Sequence, residues 1–482
     1  MEMTRREFLR LLGRGVGAWT LLAGGLGGLL TGCKEQEVSH TVATVVGGPP
    51  VTSVSTTSTV PSTTVVSGPE RGKALRIGLV TAYSGPLALF GKAEDWCVEF
   101  VTSALPEGIV CADGKLHPFE FVRWDCGSRA EKAAGGAVHL VTEADVDLLV
   151  CSGDIAVVNA VADVAEELLC PCLCNLVEWH AFALREKAPD RPLRFSYAHA
   201  YGVEDVVADF LHMWEQVPTN RKVGLLVAGD KEGRWWTGEH SLLLEAIGQA
   251  GYEVTFPEPF PVSMADFTAY ISEFQKNGCE ICCAISPSAD FVTFWRQALA
   301  LDYRPKTVTA VRALLFPQVL AGLGSVAHLL TAEAVWLPSW PFSESLTGRT
   351  CRQLADDYMR KTGEQWTPAL AQLAALEWAI EVFKRSRDVD SEREFVARLL
   401  ETRLDTCLGP IDFTEKVTAQ GTGSSGSASA RRVADTVYKA PVAGVQWEVA
   451  APLVIEARQV SAVNYPLLKV AGAVRRMEYG GE

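Results

Sequence analysis

The sequence predicts an α/β protein of two lobes, each a doubly wound parallel sheet with helices on both faces. Three observations predict it. Short β-rich runs alternate with helical patterns from residue 75 onward. The alternation restarts near Val223 in units of similar size. The chain has 482 residues, 48% of them hydrophobic, with 13 Trp, enough for two or three well-packed cores. Strands that alternate with helices favour parallel pairing, because each crossover lays a helix over the sheet.

Taken in order, residues 75–80 form a short apolar run followed by a turn, Tyr83-Ser84-Gly85-Pro86. A helical pattern covers 90–103. Residues 119–125 read as the second strand and 130–143 as an Ala-rich helix. Residues 146–151 read as a buried strand, 157–169 as a helix and 170–174 as a fourth strand. The second series has strands at 223–227, 252–255 and 280–285, with helices at 236–250 and 267–276 between them. Helical patterns at 351–361 and 370–386 follow, then β-like stretches at 443–447 and 453–455. Residues 421–429 are a low-complexity loop. In open α/β sheets ligands bind beyond the carboxyl ends of the strands. Two facing lobes therefore predict a cleft suited to capturing a small molecule by hinge closure.

The N-terminus predicts the compartment. Thr4-Arg5-Arg6-Glu7-Phe8-Leu9 has the paired arginines of a twin-arginine export signal. The Gly-rich apolar run 16–30 is 15 residues long, short of the roughly 20 that cross a bilayer. Leu30-Thr31-Gly32-Cys33 closes it as a lipoprotein cleavage site. Residues 1–32 thus read as a signal peptide, and Cys33 as the acylated first residue that anchors the protein to a membrane. Residues 33–72, rich in Ser, Thr, Val, Gly and Pro, read as a disordered tether.

The net charge is −14, and residues 1–32 carry four Arg and two Glu, so the remainder carries −16. An acidic surface argues against nucleic acid as a partner. Of the 13 Cys, twelve follow Cys33. Export permits disulfides, with Cys126–Cys151 a possible pair at two strand ends. Cys170-Pro171-Cys172-Leu173-Cys174 is read as core strand rather than metal site, because same-face neighbours on a strand stand about 6.5–7 Å apart.

Enzyme motifs fail on spacing. Between Gly85 and Gly91 lie five residues where a phosphate loop needs four, and Ala93 stands where that loop needs Ser or Thr. No HExxH, GxSxG or GxGxxG after a strand occurs. The expectation is a protein without catalytic residues, cofactor or metal. His180 reads as a solvated loop residue.

Residues 74 to about 470 resemble the extracytoplasmic solute-binding proteins of branched-chain amino-acid ABC transporters, the family of the leucine/isoleucine/valine-binding protein. The carriers are Ile77-Gly78-Leu79-Val80 with Ser84-Gly85-Pro86 and Gly91, and Trp124-Asp125 before the Ala-rich helix. Val146-Asp147-Leu148-Leu149-Val150, the Ala162-to-Glu167 helix before Pro171, Asp266-Phe267 and Leu408-Gly409-Pro410-Ile411 complete them. The resemblance implies a type I periplasmic-binding-protein fold, with two Rossmann-like lobes joined by a three-crossing hinge. It implies lobe one at 73–197 plus 310–403 and lobe two at 198–309 plus 404–482, crossing near Tyr197, Thr309 and Asp405.

It further implies a small-molecule solute and an ABC permease as partners. A ligand-sensing role in a membrane signalling system is the alternative. Family ligands are held by hydroxyls and backbone amides at the carboxylate and by an acidic residue at the ammonium. Here the loop after Cys151 places Ile155, Ala156 and Val157 where hydroxyls are expected, and the acidic position falls at Ala265, beside Asp266. Tyr83, Ser84, Trp179, Tyr201, Trp235, Trp236, Trp336 and Trp340 are expected at the cleft. Arg312 is expected to pair a carboxylate bidentately. The expected solute is therefore an amino acid or an aromatic or apolar acid.

Overall fold

The computed structural model describes residues 68–184, 192–238, 241–418, 430–450 and 454–479. The signal segment, Cys33, nearly all of the tether and the 421–429 loop lie outside the described residues. The last tether residues belong to the folded body: the Leu116 N–H donates to the Glu70 carbonyl at 2.8 Å, and the Gly72 N–H to the Leu116 carbonyl at 2.9 Å.

Eighteen strands are described. They are β1 (Leu75–Thr81), β2 (Ile109–Val110), β3 (Leu116–His117), β4 (Phe119–Asp125), β5 (Leu148–Ser152) and β6 (Cys172–Glu178). Next come β7 (Ser196–Tyr201), β8 (Lys222–Val227), β9 (Glu253–Thr255), β10 (Ile281–Ile285), β11 (Thr307–Val311) and β12 (Thr331–Ala334). The last are β13 (Arg403–Thr406), β14 (Gly409–Asp412), β15 (Arg432–Ala434), β16 (Val437–Lys439), β17 (Ala443–Ala450) and β18 (Val454–Ser461).

Two seven-stranded sheets result, in the orders β15-β16-β7-β6-β5-β1-β4 and β18-β17-β12-β11-β10-β8-β9. Each has a parallel block and antiparallel edge strands contributed by the C-terminal part of the chain. Parallel strands are buried on both faces and read as continuous apolar runs. The five residues of β5 and of β10 are all buried, as that rule requires.

One face of the first sheet is closed by the helices Ala130–Thr142 and Ile155–Glu167. It packs Ala, Val and the thiols of Cys126, Cys151, Cys170, Cys172 and Cys174 in one cluster. The Cys170–Cys174 run is thus core, as expected. Cys172 and Cys174 come within 3.6 Å through their sulfurs, closer than an ideal strand predicts. All twelve described cysteines are free and buried, so no Cys126–Cys151 disulfide forms. Trp124 lies over Gly136, where an added Cβ would fall 2.1 Å from the indole. The helix Gln372–Arg385 closes the other face.

The helix expected at 236–250 is two helices, Lys231–Thr237 and Leu242–Gln249, with Ser241 capping the second through the Leu244 N–H. The helix expected at 90–103 is a short 3-10 turn followed by Glu94–Ala104.

The chain crosses between lobes three times, but later than expected. Strand β7 pairs within the first sheet through Tyr201, so the first crossing follows Tyr201 and not Tyr197. Thr309 is the middle of β11, and β12 pairs beside it, so the second crossing follows Ala334. Asp405 sits in the β13–β14 hairpin. The chain then adds β15 and β16 to the first sheet before entering β17, so the third crossing lies between Lys439 and Ala443. The extra residues of β7 and the short β12 set the first two crossings, and the three-residue strands β15 and β16, too short to give much strand signal, set the third.

The helix Val203–Glu215 packs on the second sheet and carries a buried carboxyl, Asp209. It accepts from the Ser461 hydroxyl at 2.5 Å and the Val463 N–H at 2.9 Å. Burial pushes this carboxyl from its ordinary 3.8 up to about 7. Between those values the folded chain keeps a proton that the unfolded chain has lost, so stability falls as pH rises across that window. Asp209→Asn keeps an acceptor oxygen and removes the titration. Denaturant unfolding at about pH 4 and about pH 7 is expected to show a smaller fall in the variant, by about 1–4 kcal/mol.

Candidate functional site

The strand ends of both sheets face the crossings, and six polar residues meet there. Asp154 follows β5 and caps the helix Ile155–Glu167, accepting from the Ala156 N–H at 2.9 Å. Glu178 ends β6 and accepts from the Tyr201 hydroxyl at 2.9 Å. Asp230 follows β8 and caps the helix Lys231–Thr237 through the Gly233 N–H at 2.8 Å. Glu232 is in the first turn of that helix. Gly233 is needed at this turn, because a Cβ would lie 1.9 Å from the Ala228 carbonyl oxygen. Arg312 follows β11 at φ +66, and Glu333 lies on β12.

Arg312 ties the second lobe's share together. Its guanidinium donates to Asp230 at 2.6 Å and to Glu232, while its N–H donates to Glu333 Oε1 at 2.6 Å. The other oxygen, Glu333 Oε2, is buried and receives no hydrogen bond. From the first lobe, Glu178 lies close enough to Glu232 for each to affect the other's ionisation. Asp154 lies within Coulombic reach of Glu178, Glu232 and Arg312.

Three carboxyl groups thus bond Arg312 directly, Asp154 lies within its reach, and Glu178 lies beside Glu232. Burial pushes Glu178 and Glu232 above the ordinary carboxyl value, and their negative neighbours add to the push. Burial likewise raises Glu333 to about 8. Burial opposes the charge on Arg312, but Glu232 and Asp230 more than offset it.

Of the residues expected at the cleft, Tyr201 and Arg312 join this cluster. Ile155, Ala156 and Val157 form the first helical turn beside Asp154, with Ile155 and Val157 buried. Trp235 is half-buried and packs against the cores of both lobes. Tyr83 and Ser84 are tied elsewhere. The Tyr83 hydroxyl donates to Glu94, and Ser84 Oγ donates to Asp125 at 2.7 Å.

Trp236, Trp336 and Trp340 are core residues. Trp336 donates to the Cys407 carbonyl and Trp340 to Gln459. Asp266 is exposed and accepts from the N–H and hydroxyl of Thr268 at the start of the next helix. The expected role of Arg312 also changes, since both arms of its fork are already occupied by Asp230 and Glu232. The residues missed were Asp154, Glu178, Asp230, Glu232 and Glu333. An acid at each strand end was the signal. Among the described residues no group of three or more His, Cys, Asp or Glu is placed to hold a metal.

A second charged cluster pins the hinge. Lys439, fully buried at the end of β16, pairs with Glu204 at 2.7 Å and Asp205 at 2.6 Å on the helix that follows the first crossing. Trp179 donates to Glu204 and stacks on His180 at 3.6 Å. His180 is therefore not a solvated loop residue, and burial pushes its imidazole down to about 4. Burial opposes ionisation of Glu204, yet Lys439 and His180 hold it below the ordinary carboxyl value.

The fold and this cleft define a two-lobed solute receptor. A family model for periplasmic binding proteins matches residues 74–432, and the chain belongs to that family. Its fold is that of the type I members. A leucine-binding protein from Thermotoga maritima superposes with TM-score 0.62 at 14% identity, over 80% of this chain and 97% of that one. A solute-binding protein of an ABC transporter from Rhodopseudomonas palustris, in complex with 3,4-dihydroxybenzoic acid, gives 0.62 at 14%, over 82% and 99%. A branched-chain amino acid transporter substrate-binding protein from Streptococcus pneumoniae, in complex with isoleucine, gives 0.60 at 14%, over 80% and 99%. No curated protein matches the chain.

Removing one partner of a buried ion pair leaves uncompensated charge. Lys439→Met is expected to destabilise the fold by about 3–5 kcal/mol in urea unfolding. A loss below about 1 kcal/mol would show that Glu204 and Asp205 do not depend on it.

Proposed function

We propose that this protein is the extracytoplasmic receptor of an ABC importer, tethered by lipid at Cys33 and capturing one small solute between its lobes. The observation that carries this reading is the convergence of polar residues from both lobes at the strand ends, with no backbone pairing between the two sheets. Such a site is complete only when the lobes meet, so a solute that contacts both stabilises the closed form. The act is binding and release to a permease, without a covalent step. The lipoprotein sequence at Leu30–Cys33 supports the anchor. Among the described residues, no helix is long and apolar enough to cross a membrane.

Two measurements test it. Cys33→Ser, expressed in a host that processes lipoproteins, is expected to move the protein from the membrane fraction to the soluble one. Retention in the membrane would overturn the lipid anchor. A thermal-shift screen of the purified full-length protein against amino acids, amines, aliphatic and aromatic acids, amides and urea is expected to give a hit. A solute at 100 times its Kd adds about 2.7 kcal/mol of stability. No shift from any class would overturn solute capture.

A further inference from the structure

We propose that the solute is a small organic cation without a carboxylate, an amine, amidine or guanidine, received by the carboxyl groups of Glu333, Glu178 and Asp154. This deepens the reading above and rests on it.

Charge supplies the first reason. Asp154, Glu178, Asp230, Glu232 and Glu333 gather at the cleft around Arg312 as their one guanidinium. Arg312 spends both arms on Asp230 and Glu232. Asp154 feels Arg312 only at Coulombic range, and neither Glu178 nor the free oxygen of Glu333 receives a hydrogen bond from it. A carboxylate ligand entering here would meet five acids and would have to displace two of them to reach Arg312. An ammonium or amidinium meets carboxyl groups that become acceptors as they ionise against it.

The free oxygen supplies the second reason, independent of the acid count. Glu333 is 2% exposed, its Oε1 is engaged by the Arg312 N–H, and its Oε2 has no partner. The charge it feels from outside its own lobe is that of Glu178. A buried acceptor without a donor is costly, and native interiors seldom leave one. An N–H donor of the solute would satisfy it. Binding of a cation would also let these carboxyls ionise, whereas burial and mutual repulsion now favour their protonated forms.

The aromatic residues choose an organic cation over a metal ion. Trp235 lies against both lobes, and Tyr201 holds Glu178 by its hydroxyl. Aromatic faces attract organic cations and bury their apolar bodies.

The test uses the purified full-length protein and shape-matched pairs of opposite charge: benzamidine with benzoate, and 3-methylbutylamine with 3-methylbutanoate. Leucine and urea are measured beside them by calorimetry and thermal shift. The expected result is that a cationic member binds at least about tenfold tighter than its anionic partner. Glu333→Gln keeps an oxygen for the Arg312 N–H, so the unliganded fold should melt at the same temperature or higher. Affinity for the cation should fall at least about tenfold.

Glu178→Gln is the second variant and should weaken the same compound, which keeps the test open if the first variant does not fold. Tighter binding of the anions, of leucine or of urea would overturn the cation and leave solute capture standing. Cation affinity unchanged in both variants would also overturn it. No binding by any compound would overturn both readings.

Discussion

Arg312 is the residue on which the second lobe's half of the cleft depends. It leaves β11 in the left-handed backbone region, which turns its N–H onto Glu333 of β12 and its guanidinium onto the loop after β8. One residue, by its side chain and its N–H together, therefore joins three strand ends. Removing these charges from water is expensive, and only direct, short contacts recover the cost. The rest of the cleft follows from that constraint. Glu232 is held by Arg312 and so faces Glu178 of the first lobe, and Tyr201 in turn holds Glu178.

The hinge solves a related problem by the opposite balance. At Lys439 one buried cation meets two carboxyls, with His180, Trp179 and Asn464 completing the shell. The ion pair joins the last residue of β16 to the first helix of the second lobe, so it spans two crossings. Arg431 lies over the Tyr465 ring at 3.7 Å and donates to the Asn464 carbonyl, adding the segment after β18 to the same knot. These contacts tie together the chain at the first and third crossings.

Beyond these two clusters the lobes also meet through Trp235 and through the edge-to-face contact of Phe90 with Phe316 at 5.0 Å. On the closure proposed above, Glu178 and Glu232 of opposite lobes would repel when ionised, which bears on an open–closed equilibrium. A ligand shifts such an equilibrium only by its preference for one state. The acids at the strand ends are where that preference can be made large.

How much of this was legible in the sequence follows from which forces act locally. The apolar runs of β1, β5, β8 and β10 are strand signals on their own, because parallel strands are buried on both faces. The order of strands and helices therefore yielded the α/β class, the two lobes and the resemblance to solute-binding proteins. The cysteines of β6 read correctly as core for the same reason. The third crossing was misplaced because β15 and β16 join the first sheet by long-range pairing, which no local pattern announces, and the first two because β7 runs on to Tyr201 and β12 joins the second sheet. Trp336 and Trp340 read as cleft residues and turned out to be core, since an indole packs equally well in either. Arg312 was found, but its partners at Asp230, Glu232 and Glu333 come from separate strand ends. By itself the sequence determined the layers and their apolar faces. Only the tertiary structure decided which charges share the cleft, because electrostatic partners are set by distance in space and not by spacing along the chain.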